Sequence, residues 1–153
     1  MTDSLLIQFI FAFIATCGLS IIFRVPVRKI PICGIIGALG WVVYQISVSY
    51  GLSGVIACFL GSCAVALLSD ISSKIIKEAA TVFIIPGIMC LVPGAGMYRA
   101  MLCLLHNDVS GFAAEGTQTV FAAGAIAVGL LVMGSLLKIV RTLVKKVRTV
   151  FGQ

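Results

Sequence analysis

The feature that most constrains this chain is the stretch Thr81 to Leu105, TVFIIPGIMCLVPGAGMYRAMLCLL. It is apolar enough and long enough to cross a bilayer, which takes about 20 residues of helix. Yet it carries two Pro-Gly motifs, Pro86-Gly87 and Pro93-Gly94-Ala95-Gly96. Proline removes a backbone donor and clashes with the preceding turn. Glycine makes non-helical dihedrals accessible. The two motifs predict a broken helix. In hydrocarbon every freed N–H and C=O must find a partner, so broken backbone survives only inside protein or beside a wet cavity. The same stretch holds Arg99, the one charge well inside an apolar segment. A broken helix with an intramembrane charge reads as a solute path.

The rest of the 153-residue chain agrees with a membrane setting. It is 61% hydrophobic and 10% charged, against roughly a quarter charged in soluble domains. The fold class is therefore all-α and polytopic, one integral membrane domain over 1–153. About five spans are expected, at 5–23, 31–50, 55–70, 81–105 and 117–137, with segment three extending amphipathically through Lys77. Leu5 to Phe23 is longer than a signal-peptide core of roughly 7–15 residues and lacks a basic flank before it, so it stays as the first helix. His106 to Gly116 reads as a polar loop. The tail, 138–153, spaces Lys138, Arg141, Lys145 and Arg148 among valines, leucine and isoleucine. That pattern predicts an amphipathic helix against an anionic leaflet.

The net charge of +6 sits beside apolar segments, which favours topology signals and lipid contact over nucleic acid. With five crossings, all ten basic residues outside segment four fall on one side: Arg24, Arg28, Lys29, Lys74, Lys77 and the five of the tail. The positive-inside rule makes that side cytoplasmic, with the N-terminus outside. A re-entrant fourth segment would send the tail outside instead, so a crossing made of two half-helices is preferred.

A half-helix opening near Pro93 or Gly96 would present free N–H groups and a partial positive charge. Anions bind at such ends. Arg99, one turn in, would add bidentate hydrogen bonds to a carboxylate. The plainer alternative is that these glycines serve packing and Arg99 pairs with lipid phosphate or a partner's carboxylate. Tyr98 offers a hydroxyl, or simply a packed ring. Asp70, Glu78, Asp108, Glu115 and His106 are candidates for proton coupling, though each lies near a segment end and suits a solvated role there. The six cysteines fall within the spans without metal-ligand spacing and read as small apolar residues. No metal, no cofactor and no nucleophile–base pair is expected, which disfavours an enzyme.

Three groups of residues resemble one known family. They are Phe23-Arg24-Val25-Pro26-Val27-Arg28; Gly34 to Gly40 leading into Trp41; and Ile85-Pro86-Gly87 with Leu91-Val92-Pro93-Gly94-Ala95-Gly96-Met97-Tyr98. Together they are similar to the threonine/serine exporter family, and in particular to its small, separately encoded subunit. That subunit is equivalent to the C-terminal half of single-chain exporters. The resemblance implies a bacterial inner-membrane secondary exporter, driven by the proton gradient. It also implies a larger partner subunit with a cytosolic N-terminal region. Some split members are associated with succinate in place of threonine or serine. It carries Pro26 and Arg28 over as motif residues of the first cytoplasmic connection. It carries Pro86, Gly87, Pro93, Gly94 and Tyr98 over to the substrate segment; Gly96 and Arg99 join them on the physical grounds above. The expectation is the small subunit of an exporter of small carboxylate metabolites, threonine and serine first and succinate second. A membrane scaffold without transport is the rival from another class.

Overall fold

The computed structural model describes residues 2–150, with side chains over 5–143. The end of the predicted tail, 151–153, lies outside the described residues. Six α-helices make up the described chain: α1 Thr2–Ile22, α2 Ile30–Ser49, α3 Gly54–Ile76, α4 Thr81–Met89, α5 Gly94–Leu105 and α6 Val109–Val150, with one 3-10 turn at Val27–Lys29. Among the described residues there is no strand. Four helices are long and apolar enough to cross a membrane, and α4 with α5, bent by 45°, can make a fifth crossing. The all-α polytopic architecture read from composition is what the structure has.

Helix starts and stops follow from local chemistry. Pro31 sits in the first turn of α2, where its missing N–H has no intrahelical use. Ser53 caps α3, its Oγ accepting from the Ile56 N–H. Several helices end on a residue in the left-handed region: Arg24 (φ 54), Gly51 (φ 79), Lys77 (φ 58) and Asn107 (φ 57). In each case the next N–H reaches back to a carbonyl five residues earlier, as Asp108 does to Cys103 at 2.9 Å.

Three boundaries differ from the sequence-based expectation. The polar loop expected over His106 to Gly116 is only His106–Asp108, because Asp108 starts a helix there. Its Oδ1 accepts from the Gly111 N–H at 2.9 Å and the Ser110 hydroxyl at 2.7 Å. Second, the tail does not form a separate helix. No breaker stands between Leu137 and Lys138, so α6 runs on for 42 residues, about 63 Å at 1.5 Å per residue. Third, Pro86-Gly87 does not break the chain. Pro86 lies inside α4, and the break falls at 90–93. The carbonyl that Pro86 would have bonded, Val82 O, takes the Cys33 thiol of α2 instead, at 3.8 Å.

Side-chain contacts fix the relative directions. The Cys63 thiol donates to Gly129 O at 3.6 Å, and Arg141 donates to Asp70. Both α3 and α6 therefore run the same way. The chain between them must return to the end where α3 began, so α4 and α5 together traverse the bundle. The opposite end gathers Arg24, Arg28, Lys29, Lys74, Lys77, Lys138 and Arg141. There Lys29 pairs with Glu78 at 2.5 Å, and Asp70 takes both Lys74, at 3.0 Å, and Arg141.

The core joins Cys33, Ile36, Cys58, Val65, Phe83 and Leu91 from α2, α3, α4 and the break. Close approach of α2 to α1 depends on Gly37, where an added Cβ would overlap the Thr16 side chain. Thr16 is fully buried, and its hydroxyl is 2.9 Å from the Cys90 thiol at the break.

Two outcomes follow. Gly37→Leu should displace Thr16 and cost about 1–3 kcal/mol by overpacking, whereas Gly18→Ala, with open space around it, should leave the melting temperature in detergent nearly unchanged. The hydrogen bonds from Gly111 and Ser110 hold the Asp108 carboxyl below its ordinary pKa. Its support of α6 is thus fully present above the unfolded pKa of about 3.9 and is lost as pH falls through the lower folded value. Amide exchange at 109–112 should speed up over that acid range, and Asp108→Asn should remove the pH dependence.

Candidate functional site

Beyond Cys90 the chain leaves helical geometry, and Pro93, with ψ 58, turns it into α5. The Gly94 N–H folds back on Val92 O at 2.7 Å and the Met97 N–H reaches Pro93 O at 3.2 Å. The N–H groups of Ala95 and Gly96 make no backbone hydrogen bond among the described residues. They belong to the first turn of a helix, where donors are unpaired and the dipole is positive.

This turn borders a cavity of about 220 Å³. Its floor is 90–96. One wall is α2 and the start of α3, with Trp41, Tyr44, Gly54, Val55 and Cys58; the other is Arg99 of α5 with Glu115, Gln118, Thr119 and Ala122 of α6. Ligand pockets for drug-sized molecules run to roughly 300–1,000 Å³, so this one suits a solute of few heavy atoms. The Trp41 and Tyr44 rings lie 5.2 Å apart, and Trp41 Nε1 donates to Gln8 Oε1 at 3.4 Å. Trp41 and Cys90 also border a second, apolar cavity of about 320 Å³ against Gln8, Phe11, Ala12 and Ala15 of α1.

Within this chain the ionic partner of Arg99 is Glu115, 16 positions further on. Its Nε donates to Glu115 Oε2 at 3.2 Å. The pairing is possible because α6 begins early enough to bring Glu115 alongside α5. Close α5–α6 contact also requires Gly96, whose added Cβ would strike Thr119 Oγ1; Gly94 has nothing near such an atom. Thr119 is itself fixed by donating to Glu115 O at 2.7 Å.

The residues anticipated for the site separate into three places. Pro93, Gly94, Gly96 and Arg99 line the cavity. Tyr98 does not; it is 66% exposed on the outer side of α5. Pro86 and Gly87 are not at the cavity either. Pro86 is fully buried, and Gly87 packs where a Cβ would come within 3.1 Å of Val65 and 3.3 Å of Ile36. These two serve helix packing because the break lies past them. Pro26 and Arg28 are exposed at the basic end, where Pro26 starts the 3-10 turn. Of the proton-coupling candidates, Asp70 and Glu78 are in ion pairs and Asp108 is a cap, while Glu115 faces the cavity. Trp41, Tyr44, Gln118 and Thr119 were not singled out as site residues. The spacing 115, 118, 119, 122 marks one helical face and becomes visible once Asp108-x-Ser-Gly is read as a helix start.

The fold defines a multi-pass membrane protein with a broken helix opening on a polar cavity. The family profile described as Threonine/Serine exporter, ThrE, matches residues 8–136. The chain belongs to the threonine/serine exporter family. An uncharacterized protein of Haemophilus influenzae is 28% identical over 140 residues, which cover 86% of this chain and 47% of that protein. The chain thus spans about half the length of this curated relative. No solved structure matches it.

The two cavity glycines should behave oppositely on substitution. Gly96→Ala should push α5 off Thr119 and lower stability by about 1–3 kcal/mol. Gly94→Ala should stay within about 0.5 kcal/mol of the parent while narrowing the cavity. Thermal unfolding in detergent separates the two.

Proposed function

We propose that this chain is the small membrane subunit of a two-component secondary exporter of small carboxylate-bearing metabolites, threonine and serine foremost. The observation that carries this reading is the cavity at 90–96, where unpaired first-turn N–H groups and Arg99 converge. A carboxylate satisfies both: it accepts from the Ala95 and Gly96 N–H groups and from the terminal guanidinium nitrogens. The partly broken backbone then has a purpose, since its free donors are matched only while a solute is present. The family match supports an exporter with these substrates.

The second component is a larger subunit with a cytosolic N-terminal region. Alternating access moves one bundle against another, and the up to five crossings described here make one such bundle. The basic end, with Arg24, Arg28, Lys29, Lys74, Lys77 and Arg141, faces the cytoplasm of a bacterial inner membrane, and the N-terminus lies outside. The cavity is then nearer the outer face.

Efflux tests this. Vesicles holding both subunits and loaded with labelled threonine should release it faster than vesicles with the larger subunit alone. Arg99→Ala should slow release about 10–100-fold, the equivalent of a charged hydrogen bond of about 1.5–3 kcal/mol. Release no faster than with the larger subunit alone would favour a scaffold.

A further inference from the structure

Among the described residues lining the cavity, Arg99 is the one cation and Glu115 the one anion. They touch each other through a single hydrogen bond of 3.2 Å, at the long end for a charge-assisted bond. That bond uses only Nε of Arg99 and Oε2 of Glu115. The terminal guanidinium nitrogens and Glu115 Oε1 make no protein hydrogen bond among the described residues. The Arg99 side chain is 63% exposed and that of Glu115 is 33% exposed, so both can be reached.

Resting on the exporter reading, we infer that Glu115 is the specificity-determining residue of this site, which takes the ammonium of a zwitterionic amino acid and disfavours dianions. The geometry is that of two opposite charges in contact. An α-amino acid carries its own two charges on one carbon, so it lies across the pair with carboxylate on Arg99 and ammonium on Glu115. Each protein charge keeps an opposite partner throughout, and the cavity stays neutral. A dicarboxylate satisfies Arg99 but sets a second anion toward Glu115, which has no other cation in the cavity wall. The Trp41 and Tyr44 rings on the facing wall suit an ammonium as well.

Binding is measurable in the full chain in nanodiscs, because Trp41 is its one tryptophan and lines the cavity. The probes are L-threonine, 3-hydroxybutyrate (the same skeleton without the ammonium), threoninol (without the carboxylate) and succinate. The parent should bind threonine at least about tenfold more tightly than 3-hydroxybutyrate or succinate. Glu115→Gln should collapse that ratio, losing threonine affinity, gaining succinate affinity and leaving 3-hydroxybutyrate unweakened. Arg99→Gln should collapse the threonine-to-threoninol ratio instead. Glu115→Asp, which keeps the charge, should preserve the parent's ranking and covers the case in which the glutamine variant does not fold. Equal weakening of threonine and 3-hydroxybutyrate in Glu115→Gln would mean that Glu115 only props Arg99, and would overturn the inference. So would a parent that binds none of the probes or does not rank them. A parent that ranks them as expected while the two-subunit vesicles release no threonine would sink the exporter reading and leave the role of Glu115 standing.

Discussion

The architecture depends on the rule that a backbone amide or carbonyl in hydrocarbon must be matched. Segment four violates helical pairing twice and resolves the two violations differently. At Pro86 the freed carbonyl of Val82 meets the Cys33 thiol, so the helix continues and the site is sealed in packing. At 90–93 the ladder ends, and the first N–H groups of α5 open on a cavity. Both motifs are Pro-Gly, and their neighbours decide which is sealed in packing and which borders a cavity.

The break is held by small residues on other helices. Gly37 lets α2 come close enough to α1 for Thr16 to be fully buried. Thr16 bonds back to Ala12 O at 2.8 Å and touches Cys90. Leu91, just past Cys90, packs against Gly61 of α3. The carbonyl end of α4 is thus gripped from two sides, and the turn after it sets the direction of α5. Small residues substitute for hydrophobic drive here, because lipid is as apolar as the core.

Charge is segregated in keeping with this. One end carries the basic residues, balanced by Asp70 and Glu78; Asp70 is buried and takes both Lys74 and Arg141. These ion pairs tie α3 to α6 and the 3-10 turn to the connection between α3 and α4. Toward the other end the ionic contact is the Arg99–Glu115 pair, the more exposed of the two arrangements. The ion pairs at the basic end are the more enclosed, and the pair beside the cavity is the more accessible.

Composition, hydropathy and charge order by themselves determined the membrane class, the number of apolar segments, the interrupted fourth one, and the gathering of basic residues at one end. Each is a property of consecutive residues, as is a short motif, which is why the family resemblance was also legible. Pro93 and Gly94 could be named from the motif, and Gly96 and Arg99 from the physics of a helix start, because that start is local. Only the tertiary structure decided that Pro86 and Gly87 face the core, that Tyr98 faces outward, and that Glu115 meets Arg99 across 16 positions. Those outcomes depend on where the break falls and on the register of α6 against α5, and register is set by contacts between helices that no single stretch of chain contains.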